Sequence, residues 1–397
     1  MTEAQLETRS AKGATLPATS REIPGVPQQY ATRVAFFLGG FSLAAWAPLV
    51  PYAQARLGVD PATLGLIMLC LGGGSILAIP VAGVMAGRIG CRKMIWIAGA
   101  TVCASLPVMA TATTPLQQAF VLLMFGAAVG SFDVVVNIHA LLVQEAAGRP
   151  MMPGFHALWS VGGFVGSGSV ALLLASGLSL VASVCVLGVV IISALLVFGR
   201  LLLDYGEAQP GKGSPFAIPR GIVLLIGVLI FLLYLSEESM LDWSALFLTS
   251  QRKMAAANAG LGYSMWSGAM MIGRFAGNKV VDRYGSLRVV VAGGSLAVAG
   301  LCFLVGVNSE YASLVGFGIV GLGMSNIVPA LDTAIGRQKV MPPNLGLAAA
   351  ITMGYIGTLS GPVLIGAVAQ HFGLGIAYLG VAAGLLFVTI NAPRIFR

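Results

Sequence analysis

Residues 83–93 read G-V-M-A-G-R-I-G-C-R-K, and residues 278–288 read N-K-V-V-D-R-Y-G-S-L-R. Each stretch lies between two long apolar runs. Arg88 and Arg283 stand 195 residues apart, as do Gly90 and Gly285. A basic, glycine-bearing loop that recurs at half the chain length marks a duplicated unit. Two parallel repeats in a membrane chain are what a two-lobed carrier requires, with its solute held between the lobes near the bilayer midplane.

The runs around these loops set the fold class. Apolar segments cover 33–57, 62–87, 93–112, 116–144, 154–177, 179–203, 219–248, 258–281, 287–307, 311–336, 344–370 and 373–393. Each is near or above the roughly 20 residues that cross a bilayer as a helix. Backbone groups in lipid must be satisfied internally, and the runs lack the alternation of a barrel strand, so helices are expected. The expectation is an all-α membrane protein of twelve transmembrane helices in two six-helix bundles. Composition agrees: of 397 residues 57% are hydrophobic and 9% charged, against roughly 25% charged in a soluble domain. A soluble enzyme, a nucleic-acid-binding domain and a secreted disulfide scaffold are disfavoured. The five cysteines are scattered with no C-x-x-C pair, so neither a metal site nor a disulfide framework is indicated.

Charge sets the expected orientation. With an even number of spans and the N-terminus inside, 18 of the 22 Lys and Arg fall in inner segments, whereas the outer loops hold Arg56, Arg252 and Lys253. Basic residues favour the cytoplasmic side, so both termini are expected in the cytoplasm, and the net charge of +8 follows without nucleic acid as a partner. Residues 1–32 are polar and read as a disordered cytoplasmic tail. Residues 33–203 form the first bundle, 204–219 a polar cytoplasmic linker and 220–397 the second bundle.

The duplicated loop resembles that of the major facilitator superfamily, G-x-x-x-D-R-x-G-R-[RK]. The second copy keeps Asp282, Arg283, Gly285 and Arg288, with Asn278 for the first glycine. The first copy keeps Gly83, Arg88, Gly90, Arg92 and Lys93, with Gly87 for the acid and Cys91 for a base. A narrower resemblance, to YbjJ/MosC-type bacterial permeases related to the fucose permease group, rests on four stretches: G-S-F-D-V-V-V-N at 130–137, R-P-M-M-P-G-F-H-A-L-W-S-V-G-G at 149–163, E-E-S-M-L-D-W-S-A-L-F-L at 237–248 and G-Y-I-G-T-L-S-G-P at 354–362. It implies a permease of the bacterial inner membrane, monomeric by family habit, and an acid on the fourth helix that takes part in proton coupling.

Charges in a bilayer cost about 2.5–3.5 kcal/mol each on insertion scales, so each needs a reason. Gly126, Gly130, Asp133 and Asn137 share one helical stripe. Asp133 reads either as a proton-coupling carboxylate or as a structural hydrogen-bonding group. On the fifth helix His156 and Trp159 are candidate solute contacts, or else a helix-end gate and packing. Glu237, Glu238 and Asp242, with Trp243, read as a polar and aromatic site for a hydroxylated or cationic solute, or as a wetted outer gate. A helix break near Ser236–Ser239 is expected there. Asn326 is a further substrate candidate. Trp46 reads as a stacking surface or as packing. Arg274 reads as a snorkelling or ion-paired structural residue, and His139, Glu145 and Arg149 as a cytoplasmic charge cluster. Arg88, Arg92, Asp282 and Arg283 read as an inner gate, with a weaker latch in the first copy because Gly87 replaces an acid.

G-x-S-x-G, H-E-x-x-H, metal-spaced His/Cys and P-loop patterns are absent, which argues against a membrane enzyme, a resident cofactor or metal, and ATP-driven pumping. The partners expected are the lipid bilayer, a small-molecule solute and protons. Secondary transport by alternating access follows, as proton symport of a sugar- or polyol-like solute or, alternatively, proton-antiport efflux of a drug-like or metabolite solute. The antiporter pattern G-x-x-x-G-P-x-x-G-G is missing from the fifth helix, which favours symport.

Overall fold

A computed structural model describes residues 24–149, 151–206 and 219–396. These residues form helices, with no strand among them. Helices α1 to α6 are Val26–Leu57, Pro61–Ile89, Cys91–Thr111, Pro115–Ala147, Met152–Ala175 and Leu180–Leu201. Helices α7 to α10 are Ile222–Arg252, Leu261–Tyr284, Ser286–Gly306 and Glu310–Arg337. Two further helices, α11 (343–372) and α12 (374–395), are divided by Gly373, whose φ of 81° and ψ of 161° lie outside the helical region. Among the described residues, ten continuous helices are long and apolar enough to cross a membrane, with α11 and α12 running together as one of them. Helix α8 is more polar, carrying Ser264, Ser267 and Arg274.

Helix starts follow elementary capping. Asp60 accepts from the Thr63 amide at 2.9 Å and the Thr63 hydroxyl at 2.8 Å, opening α2. These bonds favour its ionised form and hold its carboxyl below the usual aspartate range. Thr114 and Ser179 cap α4 and α6 in the same way. The shortest expected loop, 177–179, is a turn with Gly177 at φ 91°.

Three sequence expectations are corrected. Helix α1 begins at Val26, not near 33, and converts to a 3₁₀ turn at Ala47–Leu49, where Pro48 and Pro51 remove two amide donors. Helix α7 does not break at Ser236–Ser239. It is continuous from Ile222 to Arg252, and the Ser236 and Ser239 hydroxyls donate back to the Leu232 and Leu235 carbonyls at 2.6 Å each. These bonds satisfy the hydroxyls within the helix, and an unbroken helix leaves its carbonyls paired with its own amides. His139 belongs to no surface charge cluster. It is 1% exposed and accepts the Leu203 amide on Nε2 at 3.1 Å. Its Nδ1 meets the Thr32 hydroxyl at 3.1 Å, which donates onward to the Gln28 carbonyl. A neutral imidazole with its proton on Nδ1 satisfies every link, tying α1 to α4 and to the chain leaving α6.

Small residues bring the helices together. A side chain at Gly126 would fall on the Leu71 carbonyl, and one at Gly130 on the Ser75 backbone, so α4 lies directly against α2. Gly40 and Gly162 play the same part between α1 and α5. We expect Gly126→Ala to lower stability by about 1–3 kcal/mol, the usual cost of overpacking. Gly380→Ala, where a Cβ meets open space, should leave thermal unfolding in detergent near wild type.

The duplication extends beyond the loops. Gly90 and Gly285 sit at matching turns with φ of 91° and 78°. Arg56 and Arg252, at the ends of α1 and α7, stand 196 residues apart. Arg56 donates to the carbonyls of Met109, Ala110 and Ala112 at 2.6–2.9 Å, closing the C-terminus of α3. Arg252 donates to Leu304 and Val305 at 2.7 and 2.8 Å, closing that of α9. Each guanidinium meets orphan carbonyls at the negative end of a helix dipole. This explains why two of the three basic residues assigned to outer loops lie there. Since each arginine makes several charge-assisted bonds of about 1.5–3 kcal/mol that water partly replaces, Arg56→Gln or Arg252→Gln should cost about 2–4 kcal/mol of stability. Thermal unfolding in detergent reads the loss.

Candidate functional site between the two halves of the chain

Helices from both halves of the chain line a half-open cavity of about 140 Å³. Helices α2 and α4 supply Ser75, Gly130 and Asp133, and α5 supplies Trp159. Helix α7 supplies Glu238, and α11 supplies Tyr355 and Thr358. The expected stripe on α4 is present in space: Gly126 and Gly130 face α2, while Asp133 is half-buried against the cavity. Asn137 does not reach the cavity lining. Its Nδ2 donates to Asp133 Oδ1 at 3.1 Å and to the Asp133 carbonyl at 2.9 Å, so it orients the carboxylate. The Trp159 ring covers Gly39 of α1, where any side chain would collide with it.

The three acids of α7 diverge. Glu238 reaches the cavity. Glu237 lies 3.7 Å from Arg274 of α8, whose Nη1 donates to the Ser160 hydroxyl of α5 at 3.1 Å. The Ser267 hydroxyl of α8 adds a bond to the Ser160 carbonyl at 3.3 Å. Arg274 is thus the ion-paired arginine expected, and it also bridges the two halves. Asp242 is 2% exposed and accepts from Trp46 Nε1 of α1 at 3.0 Å. Trp46 is therefore a hydrogen-bond donor between the halves and offers no stacking face to the cavity. Trp243 also stands outside the cavity lining; it is fully buried, and its ring approaches α11 at Gly366.

A second cavity, of about 600 Å³, is lined by His156, Arg274, Asn326 and Asp332. His156 is exposed and stands edge-on to Phe36 at 5.2 Å. Asn326 marks an interruption of α10 and donates to the Gly273 carbonyl and the Ser325 hydroxyl at 2.9 Å each. His156 and Asn326 therefore share a vestibule, apart from Asp133 and Glu238.

Contacts between the halves gather toward one end of the helices. Gly65 meets Pro362, Gly366 meets Pro61 and Gly260 meets Pro48. The Ser167 hydroxyl donates to the Gly260 carbonyl at 2.8 Å. The larger cavity lies toward the opposite end, that of the duplicated loops. There Arg92 donates to the Leu202 carbonyl at 2.7 Å, and Arg283 covers the Tyr284 ring at 5.5 Å. Both contacts stay within one half. Arg88 and Asp282 are exposed.

Comparison with known proteins matches residues 34–339 to the family model described as Major Facilitator Superfamily. The chain belongs to the Major Facilitator Superfamily. An MFS-type transporter of Yersinia pestis is 46% identical over 374 residues, covering 94% of this chain and 97% of the relative. The membrane protein MosC of Rhizobium meliloti is 29% identical over 350 residues, covering 88% and 85%. In structure, the nucleoside transporter NupG superposes with a TM-score of 0.73 at 16% identity, covering 93% of this chain and 99% of that one. That likeness carries the superfamily fold alone. This member is a multi-pass membrane protein and a secondary transporter.

Tyr355 and the two partners of Arg274 (Glu237 and Ser160) escaped sequence reasoning. The one signal for Tyr355 was its place in the 354–362 stretch. Arg56 and Arg252 left a clearer trace, as basic residues on the side where few are expected.

Proposed function

We propose that this transporter carries a small polar solute together with protons, by alternating access at the cavity between the two halves of the chain. The observation that carries the reading is Asp133: a half-buried carboxylate on the cavity wall, held by Asn137, with glycines that seat its helix on α2. A carboxylate in this setting changes charge when it binds a proton, which biases the states the carrier adopts. A sugar- or polyol-like solute is what the resemblance to the fucose permease group suggests.

Within the same proposal, the ten apolar helices become twelve spans when α11 and α12 are separated at Gly373 and α8 is included. The spans form two six-helix bundles, α1–α6 and α7–α12. Both termini and the duplicated loops lie in the cytoplasm of a bacterial cell, the protein sits in the inner membrane as a monomer, and the present conformation is closed outside. The vestibule with His156 and Asn326 is the inner approach, and Arg88, Arg92, Asp282 and Arg283 engage across the halves when that approach closes.

The test uses purified protein in liposomes with an internal pH dye and a panel of sugars, polyols and amines. Symport predicts that at least one solute gradient acidifies the lumen as the solute enters. Proton movement opposite to the solute favours antiport efflux. If tracer flux moves with no proton signal, coupling is refuted.

A further inference from the structure

Asp133 of α4 and the three acids of α7 stand where the two halves meet, and three of these four have partners; a fifth carboxylate, Asp332 of α10, lines the separate larger cavity. Asp133 accepts from Asn137, Glu237 pairs with Arg274, and Asp242 accepts from Trp46. Glu238 has no hydrogen bond or ion pair among the described residues. Its side-chain stem lies along α11 at Gly361, and it lines the same cavity as Asp133. No Lys or Arg is among the residues that line this cavity. The cavity therefore holds more carboxylates than its walls compensate.

An ionised carboxylate held partly out of water is costly unless something positive meets it or a proton neutralises it. Two aromatic residues, Trp159 and Tyr355, share the wall, and ring faces attract organic cations through their quadrupole. A volume of about 140 Å³ is close to the roughly 150 Å³ that accommodates one benzene-sized ring.

We propose that the solute is a small organic cation, a protonated amine on a compact body the size of one six-membered ring. Its ammonium group lies against Glu238, beside Trp159 and Tyr355, and Asp133 stays available for the proton. This rests on the cavity being the solute site, as argued above, and it replaces the neutral sugar- or polyol-like solute with one that bears positive charge.

Equilibrium binding separates this inference from the transport reading, because binding requires neither flux nor proton movement. Purified protein in detergent would be titrated calorimetrically with matched pairs: cyclohexylamine against cyclohexanol, and glucosamine against glucose. We expect the amine of at least one pair to bind about tenfold to a hundredfold tighter than its hydroxyl counterpart, the range of one charge-assisted contact. Glu238→Gln should remove that preference, and Glu238→Asp should keep it at lower affinity, which guards against a mere folding defect. Equal binding within both pairs, no amine binding at millimolar concentration, or an amine preference that survives Glu238→Gln would overturn the inference. Amine preference without proton movement in liposomes would leave it standing and remove only the coupling. Proton movement driven by a neutral sugar, with both pairs bound equally, would do the reverse.

Discussion

Asp133→Asn is expected to reduce solute-driven proton movement to the level of empty liposomes while leaving solute exchange across the membrane measurable. Asparagine matches aspartate in size and can still meet the Asn137 amide that now lies 3.1 Å from Oδ1, so the packing of α4 on α2 should survive. What disappears is the change of charge. In the wild type, an ionised Asp133 carries the cost of a charge inside the membrane, about 2.5–3.5 kcal/mol on insertion scales, and protonation relieves it. That difference is what allows a proton to alter the balance between conformations. In the variant the side chain is neutral at every pH. Its exchange rate should therefore be flat with pH, whereas wild-type net uptake should rise as the outer pH falls. Asp133→Glu should retain coupling at a lower rate. Intact, solute-dependent proton movement in Asp133→Asn would move the proton site elsewhere, with Glu238 the next carboxylate on the same cavity.

The second large effect concerns Trp46 and Asp242. Both are buried, at 0% and 2% exposure, and their hydrogen bond of 3.0 Å joins α1 to α7. It lies on the closed side, near the contact of Gly260 with Pro48. A hydrogen bond to a carboxyl group contributes about 0.5–3 kcal/mol, more when the acceptor is ionised, a factor of roughly two to a hundred in an equilibrium. Trp46→Phe keeps an aromatic body and removes the donor, leaving the Asp242 carboxylate buried without it. The population should then shift toward conformations in which water reaches Asp242, those opened between the halves at this end. Spin labels at Thr113 and Tyr311, exposed positions in the first and second half, would report a longer distance. They would be placed in a background free of the five native cysteines. An unchanged distance distribution in Trp46→Phe would show that this bond does not hold the two halves together at this end.

The expectations that failed share a cause. A break in α7 follows from three acids and two serines in a short stretch only if so much polarity cannot sit in a regular helix. It can, because serine bonds the carbonyl four residues back and because acids find partners on other helices. The helix interruptions fall elsewhere. In α1 they follow prolines, which are visible in sequence. In α10 the interruption is at Ser325–Asn326, four residues before Pro329, which has no amide to bond the Ser325 carbonyl; that proline is visible in sequence, whereas the bond of Asn326 to the backbone of α8 is not. His139 fails in the same way: its partners, Thr32 and Leu203, are 107 and 64 residues distant.

The helical class, the duplication and the arrangement of apolar runs were legible from one dimension, because lipid leaves a chain few choices. A segment that crosses it must be long, apolar and internally hydrogen-bonded, and each of these leaves a mark on contiguous residues. Asp133 was legible for the same reason, since a carboxylate inside such a run stands out against its neighbours. Pairing was decided only in three dimensions. Trp46 meets Asp242 across 196 positions and Arg274 meets Ser160 across 114, and each bond depends on how two helices rotate and cross. That rotation is set by where glycines let backbones touch, at Gly40, Gly126 and Gly162 among others. Glycines abound in this chain, and only the tertiary fold selects which of them become contacts. It thereby decides which of four carboxylates is left facing the cavity without a partner.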